Sequence, residues 1–243
     1  MPRTYVLLDA NVTEGYYLPR SLRSLRARSR IEIIINAARS GQTDVFLYIP
    51  NFCIAEVFSA FMKHAFGAWN RHVTRAGGRI DRPVYERLVA QFQKDIHNGA
   101  VINQYELSRY HVLGINLVAP IDHHFQIRRA GRNHRPMSTL DHLLVSMGIQ
   151  LAKVHGQDRV VVISADRRLC DVLKKCRAGL RSRVINRLKL RIAREVTGKD
   201  YSPNLYPRVI DLATATNAEL TAALPGWPFP AVQVRNVYRW LRV

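Results

Sequence analysis

Acidic residues are scarce in this chain. Its 243 residues include 18 Asp and Glu against 37 Lys and Arg, which gives a formal net charge of +19 at pH 7. An excess of positive charge on this scale predicts a polyanionic partner. Nucleic acid is the leading candidate, and an anionic membrane surface is the alternative.

Cysteines and long apolar segments are scarce as well. The three cysteines, Cys53, Cys170 and Cys176, form no CxxC pair, which argues against a zinc site and against a disulfide framework. No apolar run approaches the ~18 residues of a membrane span, and the first apolar run is too short for a signal peptide. We therefore expect reduced thiols, with Cys53 in the core, and a cytoplasmic protein.

Apolar runs typical of strands alternate along the chain with segments of helical periodicity. The first and fourth predicted strands are apolar throughout, as parallel strands covered on both faces are. We therefore predict a three-layer α/β/α sandwich with a mainly parallel central sheet. The predicted strands are 5–8, 45–49, 101–105, 160–163 and 209–212, and the predicted helices are 21–38, 51–66, 83–97, parts of 108–129 interrupted by Pro120, 138–155, 166–175 and 180–196.

The domain organisation follows from this alternation. Residues 1–176 are predicted to form the principal domain, which a strand at 208–212 closes. Residues 177–243 are predicted to form a basic extension that packs on this domain or is inserted into it. Residues 9–11 are expected to form the loop that leaves the first strand.

Four of the few acids stand in apolar surroundings. Asp9 directly follows the first strand, and Asp166 follows the fourth after two small residues, so both are expected at the same edge of the sheet. Glu56 and Asp141 lie in the apolar openings of helices, where an unpaired acid is costly. Converging carboxylates repel one another unless a cation neutralises them. Mg²⁺ or Mn²⁺ suits oxygen ligands of this kind, and such an ion in a basic protein indicates phosphate-ester hydrolysis.

The order and surroundings of these acids resemble those of PIN-domain nucleases. The matching segments are Leu7-Leu8-Asp9-Ala10-Asn11, Ile54-Ala55-Glu56-Val57, Ser138-Thr139-Leu140-Asp141-His142-Leu143-Leu144 and Ile163-Ser164-Ala165-Asp166. The resemblance covers about residues 4–176 and implies a Mg²⁺- or Mn²⁺-dependent ribonuclease of the kind found in VapC-type toxins. It implies catalytic, metal-binding roles for Asp9, Glu56, Asp141 and Asp166, and supporting roles for Asn11 and Ser164.

The basic residues indicate which partners the protein binds. Basic clusters at 20–30, 128–135 and 181–194 are predicted to attract RNA. The chain is longer than the compact toxins, which leaves open an acidic antitoxin or other acidic partner protein, and a homodimer; no membrane partner is expected. The cluster that directly precedes the Asp141 helix is predicted to contact nucleic acid and consists of Arg128, Arg129, Arg132 and Arg135.

Each acid also has a structural explanation that the sequence leaves open. Asp141 is placed to form a capping box with Ser138. Asp9 is placed to start a turn, and Asp166 to cap a helix. Glu56 is harder to explain in this way, because it falls beyond the first helical turn.

Two other functions compete with the nuclease. Asp9-Ala10-Asn11-Val12-Thr13, with Asp166 and Asp171, resembles the motifs of haloacid-dehalogenase-type phosphatases, although Asn11 replaces their second Asp. The other alternative is a PIN-like module that binds nucleic acid or a partner without cleaving it. The segment Asp122-His123-His124 is a weaker candidate for a soft-metal site, and we expect its imidazoles to lie solvated in a basic loop.

Overall fold

The computed structural model of this chain describes residues 3–18, 25–41, 43–65, 80–127, 136–190 and 201–229. Within these ranges five parallel strands form one sheet in the order β3-β2-β1-β4-β5. Helices cover both faces, which confirms the predicted three-layer α/β/α sandwich. The strands are β1 (Thr4–Leu8), β2 (Val45–Pro50), β3 (Ile102–Tyr105), β4 (Val160–Ser164) and β5 (Arg208–Asp211).

The helices divide into two layers. Those that follow β1 and β2 pack against one another, and those between β3 and β5 form a second group. The first group is α1 (Ala10–Tyr17), α2 (Leu25–Arg39), α3 (Asn51–Ala65) and α4 (Arg82–Ile96). The second is α5 (Arg109–Gly114), α6 (Ala119–Ile127), α7 (Thr139–His155), α8 (Arg167–Ala178) and α9 (Ser182–Arg187), and α10 (Asn217–Ala223) follows β5.

The helical stretch predicted over 108–129 is interrupted next to Pro120, as expected: α5 ends at Gly114, a 3₁₀ turn follows at Ile115–Leu117, and α6 begins at Ala119. Pro120 stands in the first turn of α6, where its missing N–H costs no helical hydrogen bond.

Two local predictions were wrong. Residues 9–11 form no exit loop, because α1 begins at Ala10, one residue after the strand. The predicted basic helix at 180–196 ends at Arg187 in the described part, and Lys189 has a φ of 53°, which no right-handed helix accommodates.

The strand order places a reversal of chain direction beside β1. The chain runs outward from β1 to β2 and β3, then returns to the other side of β1 and continues through β4 to β5. Leu8 pairs with Ile163 across the β1–β4 boundary, and both are fully buried. In open α/β sheets, ligands bind beyond the carboxyl ends of the strands at such a switch point.

A glycine lets α7 lie close to this part of the sheet. A Cβ atom added at Gly148 would lie 3.0 Å from Val162 of β4 and 3.0 Å from the ring of Pro207. Any larger residue would therefore push α7 away from β4. Gly148 thus allows α7, the helix that carries Asp141 in its first turn, to pack closely against β4.

The C-terminal segment is part of the same sheet. β5 pairs with β4 from Val161↔Arg208 to Ser164↔Asp211, as the predicted closing strand requires. Arg30 of α2 reaches across and donates to the backbone carbonyls of Leu212, at 2.8 Å, and Ala215.

Candidate active site

Asp9 lies at the carboxyl end of β1, at the switch point of the sheet. Its backbone N–H donates to the Ile163 carbonyl of β4 at 3.0 Å, and only 5% of the residue is exposed. It stands at the N-cap position of α1, but its side chain makes no capping bond to the first turn of that helix. The simple structural explanation, helix initiation by the carboxylate, therefore does not account for Asp9.

The Asp9 carboxylate is held by the two residues that the resemblance singled out. Ser164 Oγ donates to Oδ2 of Asp9 at 2.5 Å, and Asn11 Nδ2 donates to the same oxygen at 2.8 Å. Asn11 Oδ1 accepts from the backbone N–H of Ala165 at 3.0 Å, and Ser164 Oγ accepts from that of Asp166 at 2.8 Å. The turn after β4 thus orients the acid that ends β1.

Two further carboxylates act on Asp9 through space. Burial is the largest cause that raises its pKa from 3.8 to about 7; the charges of Asp141 and Glu56 raise it further, while the Ser164 hydroxyl and the backbone of Asn11 act to lower it. The pKa of Glu56 is also raised, by burial first and then by Asp141. Asp9, Glu56 and Asp141 therefore lie within electrostatic range of one another, as the sequence predicts.

Asp141 and Asp166 both serve as helix caps, so their structural explanations also hold. Asp141 Oδ2 accepts from the backbone N–H and the hydroxyl of Ser138, both at 2.8 Å, in a capping box. Asp166 Oδ1 accepts from the backbone N–H groups of Arg168, at 2.6 Å, and Leu169, at 3.2 Å. These bonds use one oxygen of each carboxylate and fix its direction.

The described residues form no ion pair with this group of acids, although the charge of Lys63 acts on Glu56 through space and opposes the rise of its pKa. None of the Lys, Arg and His residues that the structure describes forms an ion pair with Asp9, Glu56 or Asp141. Three neighbouring carboxylates carry charges of the same sign, and the pKa values of Asp9 and Glu56 are raised. Such a group fits a hard divalent cation, which takes oxygen ligands. Within the described ranges, however, no three His, Cys, Asp and Glu side chains are grouped as a ready metal site. The acids share one edge of the sheet without forming a coordination shell.

Cys53 lies beside these acids but is no nucleophile. Burial, followed by the charges of Asp9 and Glu56, raises the pKa of its thiol far above the ordinary value. Thiolate is the reactive form of cysteine. The residue is a packed thiol of the core, as the sequence predicts.

Asp122, which the sequence suggested only as a possible soft-metal ligand, has a structural role that no local pattern indicates. It is 1% exposed on α6, and it accepts hydrogen bonds from the Met137 backbone N–H at 3.0 Å, from His142 Nε2 at 3.2 Å and from Arg168. Burial acts to raise its pKa, but the bonds from His142 and Arg168 outweigh it, and the pKa lies below the ordinary value. Asp122 joins α6 to the first turns of α7 and α8; Asp141 lies in the first turn of α7, and Asp166 is the N-cap of α8.

The expected basic loop with solvated imidazoles was therefore wrong in part. Asp122, His123 and His124 lie on α6, and His124 is buried and contacts the ring of Phe125. The carboxylate of Asp122 is committed to a guanidinium rather than to a soft metal. Its partner Arg168 is 46 residues away, so no local pattern reveals the pair.

We expect Asp122→Ala to lower the free energy of unfolding by about 3 kcal/mol or more, because it leaves buried partners of a charge unpaired. Urea denaturation measures the change. Asp158→Ala is the matched control, since Asp158 is 60% exposed in its ion pairs with Arg177 and Arg208. Exposed pairs contribute about 1 kcal/mol or less. Equal losses in the two variants would contradict the role of Asp122.

Asp211 is an acid that the sequence analysis missed, although its signal was present. It ends β5 after Val209-Ile210, as Asp9 ends β1, and it pairs in register with Ser164. Its carboxylate accepts from the Ala213 backbone N–H at 3.0 Å and the Thr214 hydroxyl at 2.7 Å. Asp211 therefore closes its own turn.

The basic clusters are placed only in part. Arg128, Arg129, Arg132 and Arg135 lie outside the described residues. In the 20–30 cluster, Arg28 and Arg30 are buried and bind backbone carbonyls, so they form no exposed basic surface. In the third cluster Arg181, Arg183, Arg187 and Lys189 are exposed, and residues 191–194 lie outside the described residues.

Comparison of the chain with protein-family models, with curated proteins and with solved structures gave no match. Of the helices that the structure describes, none is both long enough and apolar enough to cross a membrane.

Proposed function

We propose that the protein is a Mg²⁺- or Mn²⁺-dependent nuclease that hydrolyses phosphodiester bonds of RNA. Asp9 is the observation that carries this proposal. It is a buried acid at the switch point of a parallel sheet, it caps no helix, and two further carboxylates act on it. A charge placed at such a cost to stability supports a functional role.

The residues of the site have different roles in the proposed reaction. A bound Mg²⁺ or Mn²⁺ supplies a water of lowered pKa and stabilises negative charge on the phosphate. Asp9, Asp141 and Asp166 would hold the ion, and hydrogen bonds already set the direction of each of these carboxylates. Glu56, which solvent reaches although its carboxylate is partly desolvated, has a raised pKa; it orients the attacking water and accepts its proton.

Two features favour a nuclease over a phosphatase. The net charge of +19 suits a polymer of phosphates better than a small phosphomonoester. The amide of Asn11 is bound to Asp9 and Ala165 and carries no acidic proton, so it cannot replace the second Asp of a phosphatase. The resemblance extends the proposal to a cytoplasmic toxin with an acidic antitoxin as its partner.

Cleavage of a labelled single-stranded RNA tests the proposal. Wild-type protein is assayed with Mg²⁺, with Mn²⁺ and with excess chelator, and p-nitrophenyl phosphate is assayed in parallel. We expect cleavage of RNA that either ion supports and chelator abolishes. Turnover of the phosphomonoester alone would favour a phosphatase, and RNA binding without any cleavage would favour a binding module.

The affinity for RNA should fall steeply with salt. Each phosphate contacted on a single strand contributes a slope of about −0.7 to log K against log salt concentration, because bound counterions are released. Fluorescence anisotropy of a labelled oligomer in chelator, between low and moderate salt, measures the slope. A slope near zero would contradict binding through the positive charge of this chain.

A further inference from the structure

A cavity of about 240 Å³ lies between α1 and α2, next to the candidate site. Val12, Ala27 and Ile31 give it apolar walls. Asn11 and Ala165 line it as well, and both belong to the hydrogen-bond network that holds Asp9. The cavity therefore shares a wall with the proposed active site.

Gly15 is a lining residue whose identity the fold does not require. It is buried in the last turn of α1, and within a helix glycine is less favourable than any residue except proline. A Cβ atom added there would meet no atom within 4 Å, so close packing does not demand glycine. Its φ is also not among the positive values that favour glycine. The effect of glycine at this position is to leave the cavity open.

The two helices that form the walls are tied together, so the space is not a result of loose packing. Arg28 of α2 is 5% exposed; it donates to the Leu18 carbonyl at the end of α1 and to Glu32 at 2.7 Å. Farther along α2, Asn36 accepts a bond from the Tyr16 hydroxyl at 3.1 Å. The bonds from Arg28 to Leu18 and Glu32 use two of its five N–H groups, and Arg28 itself lines the cavity.

We propose that this cavity binds a nucleobase of the RNA, from the nucleotide next to the phosphate at Asp9. The inference rests on the proposed function for its substrate. The volume admits several water molecules or one heterocycle and lies below the ~300–1,000 Å³ of pockets for drug-sized ligands. Val12, Ala27 and Ile31 give the base an apolar wall, and Arg28 lines the same cavity and offers donors for its polar edge.

Filling the cavity tests the proposal by a binding measurement that needs no cleavage. The probes are a single-stranded RNA octamer and the same octamer with abasic residues, each titrated in chelator. The variants are Gly15→Leu and Ala27→Leu, which fill the cavity from opposite walls. The control is Ala90→Leu on the exposed side of α4. Wild type and the control should bind the intact octamer about five- to a hundredfold more tightly than the abasic one, the range that base contacts give.

Both filling variants should lose this preference and keep the weaker, salt-dependent binding. Gly15→Ala should raise the melting temperature, since alanine favours the helix and has room, and so shows that position 15 tolerates a side chain. An unchanged preference in Gly15→Leu, or equal binding of the two octamers by wild type, would overturn the proposal. Competition by adenosine 5′-monophosphate that wild type shows and Gly15→Leu lacks would support the cavity and add free nucleotide as an occupant.

The outcomes separate this proposal from the proposed function. Cleavage of RNA without any base preference would contradict the proposed base pocket and support the proposed nuclease activity. A base preference without cleavage in Mg²⁺ or Mn²⁺ would keep the pocket and remove the nuclease.

Discussion

Asp9→Asn is expected to lower the rate of RNA cleavage in Mg²⁺ or Mn²⁺ by about a hundredfold or more. The metal's interaction with the transition state is worth several kcal/mol, and each ~1.4 kcal/mol of it changes the rate tenfold. Asparagine keeps the size of the side chain and one oxygen that accepts from Ser164 or Asn11. It removes the negative charge that the ion requires. Single-turnover cleavage at saturating protein measures the chemical step apart from RNA binding.

The control for this substitution is Asp158→Asn, which removes an acid of equal size at an exposed site. Cleavage by the control should match that of wild type. Circular dichroism of Asp9→Asn should show an intact fold, and its affinity for RNA in chelator should be unchanged or higher, because one negative charge is lost. Equal cleavage by Asp9→Asn and wild type would exclude Asp9 from the mechanism.

The order of strands along the chain was predictable, whereas their order in the sheet was not. Apolar runs at 5–8 and 160–163 identify buried parallel strands, and an acid after each identifies the edge at which Asp9 and Asp166 lie. Nothing in the local sequence states that β4 returns to the side of β1 opposite β2. That reversal creates the switch point, and it brings Ser164 to hydrogen-bonding distance of an acid 155 residues away.

The helix caps show why the sequence leaves roles open. An Asp at the start of a helix can be a capping residue or a metal ligand, and the local sequence is the same in both cases. Asp141 and Asp166 can serve in both roles at once, since a carboxylate has two oxygens and the cap takes one. Asp9 differs because its side chain caps nothing, and only the structure distinguishes it.

The stability of the cation-free protein should fall as the pH rises. The pKa of Asp9 is 3.8 in its ordinary state and about 7 in the folded protein, chiefly because of burial. Below pH ~4 Asp9 is protonated in both the folded and the unfolded state, so its burial does not lower the free energy of unfolding through charge. Between these values the folded state binds the additional proton, so stability decreases with pH. Above pH ~7 the full cost, about 4 kcal/mol at most, is present.

Asp9→Asn isolates this contribution from all other titrating groups. In chelator the variant should be less sensitive to pH, and at pH 8 it should be more stable than wild type by up to the same amount. Urea denaturation of both proteins between pH 4 and pH 8.5 gives the difference. A constant offset between the two curves across this range would contradict the burial of an unpaired charge.

Mn²⁺ should stabilise wild type much more than Asp9→Asn at pH 8 and so narrow the difference in stability between them. An ion at about 100 times its dissociation constant stabilises the folded state by about 2.7 kcal/mol, provided that the unfolded chain does not bind it. Wild type carries the charge of Asp9 and should gain most of this amount, whereas Asp9→Asn should gain little. Ca²⁺ and Na⁺ at equal ionic strength separate binding of a divalent cation from general screening. Equal shifts of the two proteins in Mn²⁺ would place the ion elsewhere on the chain and remove the physical basis of the proposed site.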